Sequence, residues 1–236
     1  MEKVVNIGLV DVDGHNFRNL ALMKLSAFHK ARGDQVEFVR PGGEYATVYK
    51  SKVFTFSPDN APEFRADRII TGGTGYGTSE RLPDEVEHFT PDYFLYPNTK
   101  HFERDTALGF TTRGCINACA WCVVPEKEGG IAAHADLDEF LAGRGKVVLM
   151  DNNILAHRHG IAQIEKVVAR GIRTDFKQGL DFRLFDDGII KRLSRVRYIR
   201  FLRMACDHHG LLPEAVNAIG RLIRAGIPPY RIFVYC

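Results

Sequence analysis

The sequence predicts an α/β protein in two parts, and three observations carry that prediction. The chain opens on a βαβ pattern: a strand run at residues 5–10, a helical pattern to about residue 32, and a second strand run at 35–39. From about residue 105 onward, strand-like runs alternate with helical patterns. Between the two, residues 78–104 are irregular, with Pro83, Pro91, Pro97 and several aromatics. Such βα alternation favours parallel sheets with helices on their faces. The expectation is a small N-terminal Rossmann-like sheet in residues 1–100, an irregular linker, and a larger α/β domain in residues 101–236.

The elements follow in order. Val5-Asn6-Ile7-Gly8-Leu9-Val10 reads as a buried strand, and Asp11 to Asn16 as a polar turn. Asn19 is placed to cap a helix whose apolar face carries Leu22, Leu25 and Phe28, with Gly33-Asp34 ending it. Residues 52–56 (Lys-Val-Phe-Thr-Phe) predict a third strand and 68–71 a fourth, running into Gly72-Gly73-Thr74-Gly75-Tyr76-Gly77. That glycine run lacks the spacing of a dinucleotide fingerprint or a P-loop. A turn needing positive φ is its simpler reading. In the second part, strands are expected at 107–113, 146–150, 173–177, 198–204 and 230–235. Helices between them place Ile161, Ile164, Val167 and Val168, then Ile189, Ile190 and Leu193, then Val216, Ile219, Leu222 and Ile223 toward the sheet.

Composition bounds the function. The chain has 236 residues, 45% of them hydrophobic, enough for a substantial core. Lys and Arg (32) exceed Asp and Glu (29) by 3, with no dense basic run, so a nucleic-acid partner is not indicated. No signal region and no apolar span of about 18 residues is present, so no membrane partner is expected and a cytoplasmic protein is. Five cysteines, three of them adjacent, suit metal ligation in a reducing compartment better than a disulfide framework.

Those three are Cys115, Cys119 and Cys122, in Gly114-Cys-Ile-Asn-Ala-Cys-Ala-Trp-Cys122, the spacing C-x3-C-x2-C. Thiolates are the usual ligands of iron–sulfur clusters. Three of them would leave one iron of a four-iron cluster open for chemistry. A zinc site would want four ligands, and His134, the nearest addition, lies outside the usual offsets. Chance clustering of buried cysteines is the other alternative.

With Trp121 just before the last cysteine, this run resembles the signature of the radical S-adenosylmethionine (SAM) superfamily. The resemblance implies that Cys115, Cys119 and Cys122 hold a 4Fe-4S cluster whose open iron chelates SAM. It also implies reductive cleavage of SAM to a 5′-deoxyadenosyl radical, and a partial (β/α) barrel. That barrel usually has six strands, whereas about five are visible here. A flavodoxin- or ferredoxin-type electron donor is implied as partner. The N-terminal region resembles the cobalamin-binding-like domain of one subgroup. Asp13-Gly14-His15 matches the start of that subgroup's D-x-H-x-x-G loop, but Arg18 stands at the glycine position. Cobalamin is therefore not expected, and a cap over the barrel is.

In α/β barrels, function gathers beyond the carboxyl ends of strands. There the sequence carries Asp151-Asn152-Asn153, then Gln178, Asp181 and Arg183. With Trp121 these are the candidate cofactor-binding residues, similar to those that meet the ammonium, ribose and carboxylate of SAM in the family. Arg suits a bidentate carboxylate grip. After the fourth strand, His208-His209 read as a proton donor or substrate contact or equally as surface polar residues, and Cys206 as a thiyl-radical site or, more simply, a small buried hydrophobe. No residue is assigned to catalysis beyond cofactor binding. The functional expectation is a radical SAM enzyme acting on an unknown substrate. Alternatives are an iron–sulfur electron-transfer or metal-binding protein without SAM chemistry and, among enzymes, an RNA methylthio- or methyltransferase.

Overall fold

The computed structural model describes residues 4–14, 16–77, 81–96 and 105–235. His15, Pro97 and Cys236 lie outside the described residues. The fold is mixed α/β with parallel sheets, and it divides into two compact units, Met1–Arg104 and Asp105–Cys236.

The first unit is built on four parallel strands: β1 (Asn6–Asp11), β2 (Gln35–Phe38), β3 (Gly43–Ser51) and β4 (Phe64–Gly72), in the order β2-β1-β3-β4. Helix α1 (Leu20–Ala31) follows β1, and the Asn19 side chain accepts from the Leu22 amide as predicted for its cap. Ile7 and Leu9 of β1 pack with Leu22 and Leu25 of α1 and with Val86. The third strand differs from expectation. It is Gly43–Ser51, not 52–56, and Tyr45, Val48 and Ser51 are its buried residues. The apolar composition of 53–56 suggested a strand, but Asp13 holds that segment as a loop. Its carboxylate accepts from the amides of Val53 and Phe54 and from Ser57 Oγ. Phe54 and Phe56 stack on one another at 5.2 Å, exposed.

The glycine run after β4 is a turn packed on that loop. Gly73 has φ 104°, and a Cβ there would sit 2.2 Å from Lys52 O. Residues 81–96 are not a free linker. They carry the short helix α2 (Asp84–Glu87) and return to α1, where Asp92 accepts from Ser26 Oγ (2.8 Å) and Lys30 Nζ (2.6 Å). Tyr93 and Tyr96 are buried.

The second unit begins with β5 (Thr106–Gly109), completely buried. β6 (Thr112–Arg113) pairs antiparallel with β7 (Ala132–Ala133), and α3 (Val124–Lys127) lies between them in the chain. Then follow α4 (Leu137–Leu141), β8 (Lys146–Leu149), α5 (Arg158–Ala169), β9 (Arg173–Phe176) and α6 (Asp187–Leu193). The chain continues with β10 (Arg197–Tyr198), β11 (Leu202–Ala205), α7 (Leu212–Arg224) and β12 (Ile232–Tyr235). Parallel strands run β10-β9-β8-β5, with a second parallel pair β11-β12. A parallel bridge between Leu180 and Met204 carries the curvature from one set to the other.

Two expectations need correction here. Residues 107–113 are not one strand: the chain turns at Phe110-Thr111, so β5 and β6 belong to different sheets. Likewise 198–204 is two short strands, which fall in separate sheets, β10 beside β9 and β11 beside β12. Helix α5 buries Ile164 and Val167 as the pattern implied, and α6 buries Ile189, Ile190 and Leu193. Helix α7 is turned differently: Ala215, Ala218 and Leu222 are buried, while Val216 is 66% exposed and Ile223 41%. Small residues let this helix lie close, and the bulkier stripe faces outward. No helix among the described residues is long and apolar enough to cross a membrane.

Candidate cofactor site around the cysteine loop

Residues 114–131 form an excursion closed at its base by the β6–β7 ladder. The base is tight. Gly114 has φ 80°, and a Cβ there would lie 2.3 Å from Gly130 O, so only glycine fits immediately before Cys115. The Cys115 amide donates to Gly129 O at 3.2 Å. Glu128, on the returning limb, ties the base together. Its carboxylate accepts from the Gly114 amide (2.9 Å) and Asn152 Nδ2 (2.8 Å) and pairs with Arg113 (2.9 Å).

A second carboxylate sets the entry to the loop. Asp151, buried beyond the end of β8, accepts with one oxygen from the amides and the hydroxyls of both Thr111 and Thr112. Burial pushes the Asp151 carboxyl up, opposed by those hydrogen bonds. The same four bonds fix the turn that separates β5 from the cysteine loop.

A third carboxylate joins three chain segments. Asp181 accepts from Asn117 Nδ2 (3.1 Å) in the cysteine loop, from Asn153 Nδ2 (3.3 Å) beyond β8, and bidentately from Arg183 (2.7 Å to each oxygen). Burial pushes the Asp181 carboxyl up, but the bonds from Arg183 and Asn117 outweigh it and hold the group below its usual range.

The sulfurs stand among these groups. Cys115 Sγ accepts from the Asn117 amide at 3.4 Å and from Asn153 Nδ2 at 3.7 Å. Burial pushes the Cys119 thiol up, and the neighbouring Cys122, Cys115 and Asp207 add to the rise against Arg183. All three thiols are free and partly buried. They sense one another without meeting at one point: among the described residues, no three His, Cys, Asp or Glu side chains are placed to hold a metal ion.

Asn153 is the residue with chemistry in reserve. Its amide nitrogen faces two acceptors, Asp181 and Cys115 Sγ, so the amide orientation follows from the network. Its oxygen is buried with no hydrogen-bond partner, and the second oxygen of neighbouring Asp151 is in the same condition. Each of these unsatisfied acceptors, two residues apart in the chain, calls for a donor, because a buried acceptor left unpaired costs about 1–3 kcal/mol.

The structure thus brings Cys115, Asn153, Asp181 and Arg183 into one bonded network, while Asn152 bonds Glu128 at the base of the loop. Asp151 adjoins it but spends one oxygen on the backbone. Arg183 is committed to Asp181 rather than free to grip a ligand. Gln178 is exposed and makes no hydrogen bond among the described residues, and Trp121 is 70% exposed. His208 accepts from the Gly210 amide and starts a helical turn, its ring 4.4 Å from that of His209 and tilted to it, while Cys206 is buried. Sequence reasoning passed over Asn117, Glu128 and the Thr111-Thr112 pair. A polar residue inside the cysteine spacing, and an acid preceding the Gly129-Gly130 return, were the available signals.

No protein-family model matches the sequence, and no curated protein does. Among solved structures the chain is similar to the radical S-adenosylmethionine methyltransferase TsrM from Kitasatospora setae. One structure of that enzyme has tryptophan substrate and the SAM analogue aza-SAM bound; it matches with TM-score 0.62 and 13% identity over 97% of this chain and 67% of that one. Another, with cobalamin and a 4Fe-4S cluster bound, matches with TM-score 0.64 and 13% identity, covering 98% and 69%. The likeness is one of fold.

Proposed function

We propose that the chain is a radical SAM enzyme, with Cys115, Cys119 and Cys122 as ligands of a 4Fe-4S cluster. The observation that carries this reading is the unsatisfied acceptor of Asn153, next to a loop bearing three free thiols, in a chain folded like TsrM. A four-iron cluster bound there supplies, when reduced, the single electron that cleaves the sulfonium of SAM. The chain's own residues do the rest. Asn153 and the free oxygen of Asp151 accept from the ammonium of SAM. Asp181 holds Asn117 and Asn153 in position, and Arg183 keeps that carboxylate ionised. Amide donation to Cys115 Sγ stabilises the thiolate a metal needs. The electron donor is of flavodoxin or ferredoxin type.

The experiment is anaerobic reconstitution with iron and sulfide, followed by SAM and dithionite. An enzyme of this kind forms 5′-deoxyadenosine or methionine. An electron relay or a zinc protein forms neither, and that result overturns the reading.

A second reading, methyl transfer with cobalamin, is favoured by the activity and the ligand of the TsrM structures. The first unit does not suit the corrin. Asp13, which opens the matching loop, already gives its carboxylate to Val53, Phe54 and Ser57. Arg18, at the glycine position, is buried with its guanidinium 6.0 Å from the Tyr93 ring. We therefore do not assign cobalamin to the first unit. Incubation with hydroxocobalamin and desalting should leave no corrin spectrum; stoichiometric retention would establish the second reading.

A further inference from the structure

The second unit has a cavity of about 330 Å³ whose lining includes Arg173, Arg197 and Arg231. Arg173 and Arg197 are the first residues of β9 and β10, and Arg231 immediately precedes β12. The cavity therefore opens at the amino ends of the parallel strands, the edge opposite the cysteine loop. Nothing in the proposed SAM chemistry uses it.

The three arginines differ from their neighbours. Arg170, Arg183, Arg192, Arg203 and Arg221 each pair with a carboxylate. Among the described residues, Arg173, Arg197 and Arg231 pair with none. Each is instead steered by one backbone carbonyl: Arg173 by Ile199 (3.0 Å), Arg197 by Gly171 (3.1 Å) and Arg231 by Tyr198 (3.4 Å). A guanidinium has five N–H donors, so each keeps several for a ligand. Arg173 and Arg197 are also direct partners in the parallel ladder. Like charges opposite one another on adjacent strands destabilise a sheet. An anion between them would offset that repulsion. Val196, Ile227 and Tyr198 supply buried, largely apolar wall.

We infer that this cavity binds a small phosphomonoester, its dianionic phosphate among the three guanidiniums and its organic body against the apolar wall. Arg197 is exposed and Arg173 and Arg231 are half-buried; a dianion answers three such cations better than a carboxylate does, and the guanidinium fork matches phosphate oxygens. The volume lies at the small end of ligand pockets, roughly 300–1,000 Å³, which suits one phosphate with a short body. This inference stands independently of the SAM reading.

The test is calorimetry on the full chain at constant ionic strength, with phenyl phosphate, inorganic phosphate and chloride as probes. Phenyl phosphate should bind saturably and more tightly than inorganic phosphate, and chloride should not compete. Arg197→Gln and Arg231→Gln should each weaken binding about tenfold or more, as loss of a charged hydrogen bond does, while SAM cleavage is unchanged. Phenylglyoxal footprinting of the wild-type chain covers the case of variants that fail to fold. Phenyl phosphate should protect Arg173, Arg197 and Arg231 and leave Arg224 reactive. Heats equal to the chloride control, variants that bind like wild type, or no selective protection would each overturn the inference. So would inorganic phosphate binding as tightly as the ester, since the apolar wall would then contribute nothing. Saturable binding of a short single-stranded RNA, with no affinity for phenyl phosphate, would overturn the inference and transfer the site to a nucleic-acid backbone.

Discussion

Asp11 ends β1, its carboxylate accepting from Tyr96 Oη at 2.6 Å. Burial raises its pKa to about 6, against the opposing Tyr96 bond. A carboxyl whose pKa is higher folded than unfolded favours the fold while protonated. Its contribution is complete below about pH 4 and is lost as pH rises through about 6. Thermal melts of the wild type should therefore lose this increment between pH 4 and 6.5, and Asp11→Asn should not; parallel profiles would sink the assignment. Asn153 is the corresponding residue of the second unit. Asn153→Ala removes a donor to Asp181 and Cys115 together with the unsatisfied oxygen, so stability should change little while SAM affinity falls about tenfold. Calorimetry with SAM on the reconstituted protein reads this. Which polar residues join the bonded network was only half legible in the sequence. Asp151, Asn153 and Asp181 stood out by position after strands. Glu128 and Asn117 did not, because their roles depend on the path of a loop whose return no periodicity encodes. Gln178 shared the favourable position and still points to no partner.

At the scale of elements, the turn between β5 and the cysteine loop rests on Asp151. Thr111 and Thr112 are fully buried, and all four of their donors converge on one oxygen. Asp151→Ala should cost about 2–4 kcal/mol in urea unfolding, since buried donors are left unpaired. Asp151→Asn keeps an acceptor and should cost less; equal losses would argue against the hydrogen-bond account. Helix α7 gives a packing test. Ala218 is 5% exposed and Val216 66% exposed. Ala218→Leu should destabilise by about 1–3 kcal/mol through overpacking, and Val216→Ser should be nearly neutral. The reverse order would restore the face expected from hydrophobicity alone. That expectation failed because periodicity locates an apolar stripe but not which of two stripes meets the sheet. The small residues decided it here. The misplaced third strand failed for a related reason: Val53 to Phe56 looked β-forming, but Asp13, 40 residues upstream, captures its amides.

For the whole molecule, the question is whether a loop whose thiols do not yet converge can close on a cluster. Its base is rigid: the β6–β7 ladder, Gly114 against Gly130, and Glu128 bonded to both limbs. Further out, Asn117 is held by Asp181 and the Cys122 amide donates to Cys119 O, while Ile116 is 54% and Trp121 70% exposed. On the proposed reading, a cluster would draw Cys119 and Cys122 about Cys115 above that base, and metal binding would contribute to the order of the loop. Anaerobic reconstitution should accordingly yield about four iron and four sulfide per chain. Cys115→Ala, Cys119→Ala and Cys122→Ala should each lose the cluster absorbance. Cys206→Ala should keep it, because that thiol is 4% exposed and donates to His208 O. Gly114→Val should behave like the cysteine variants while the rest of the unit stays folded, since the clash it introduces is confined to the base of the loop. Stoichiometric zinc without iron, or a Gly114→Val protein with a full cluster, would contradict this account of the loop.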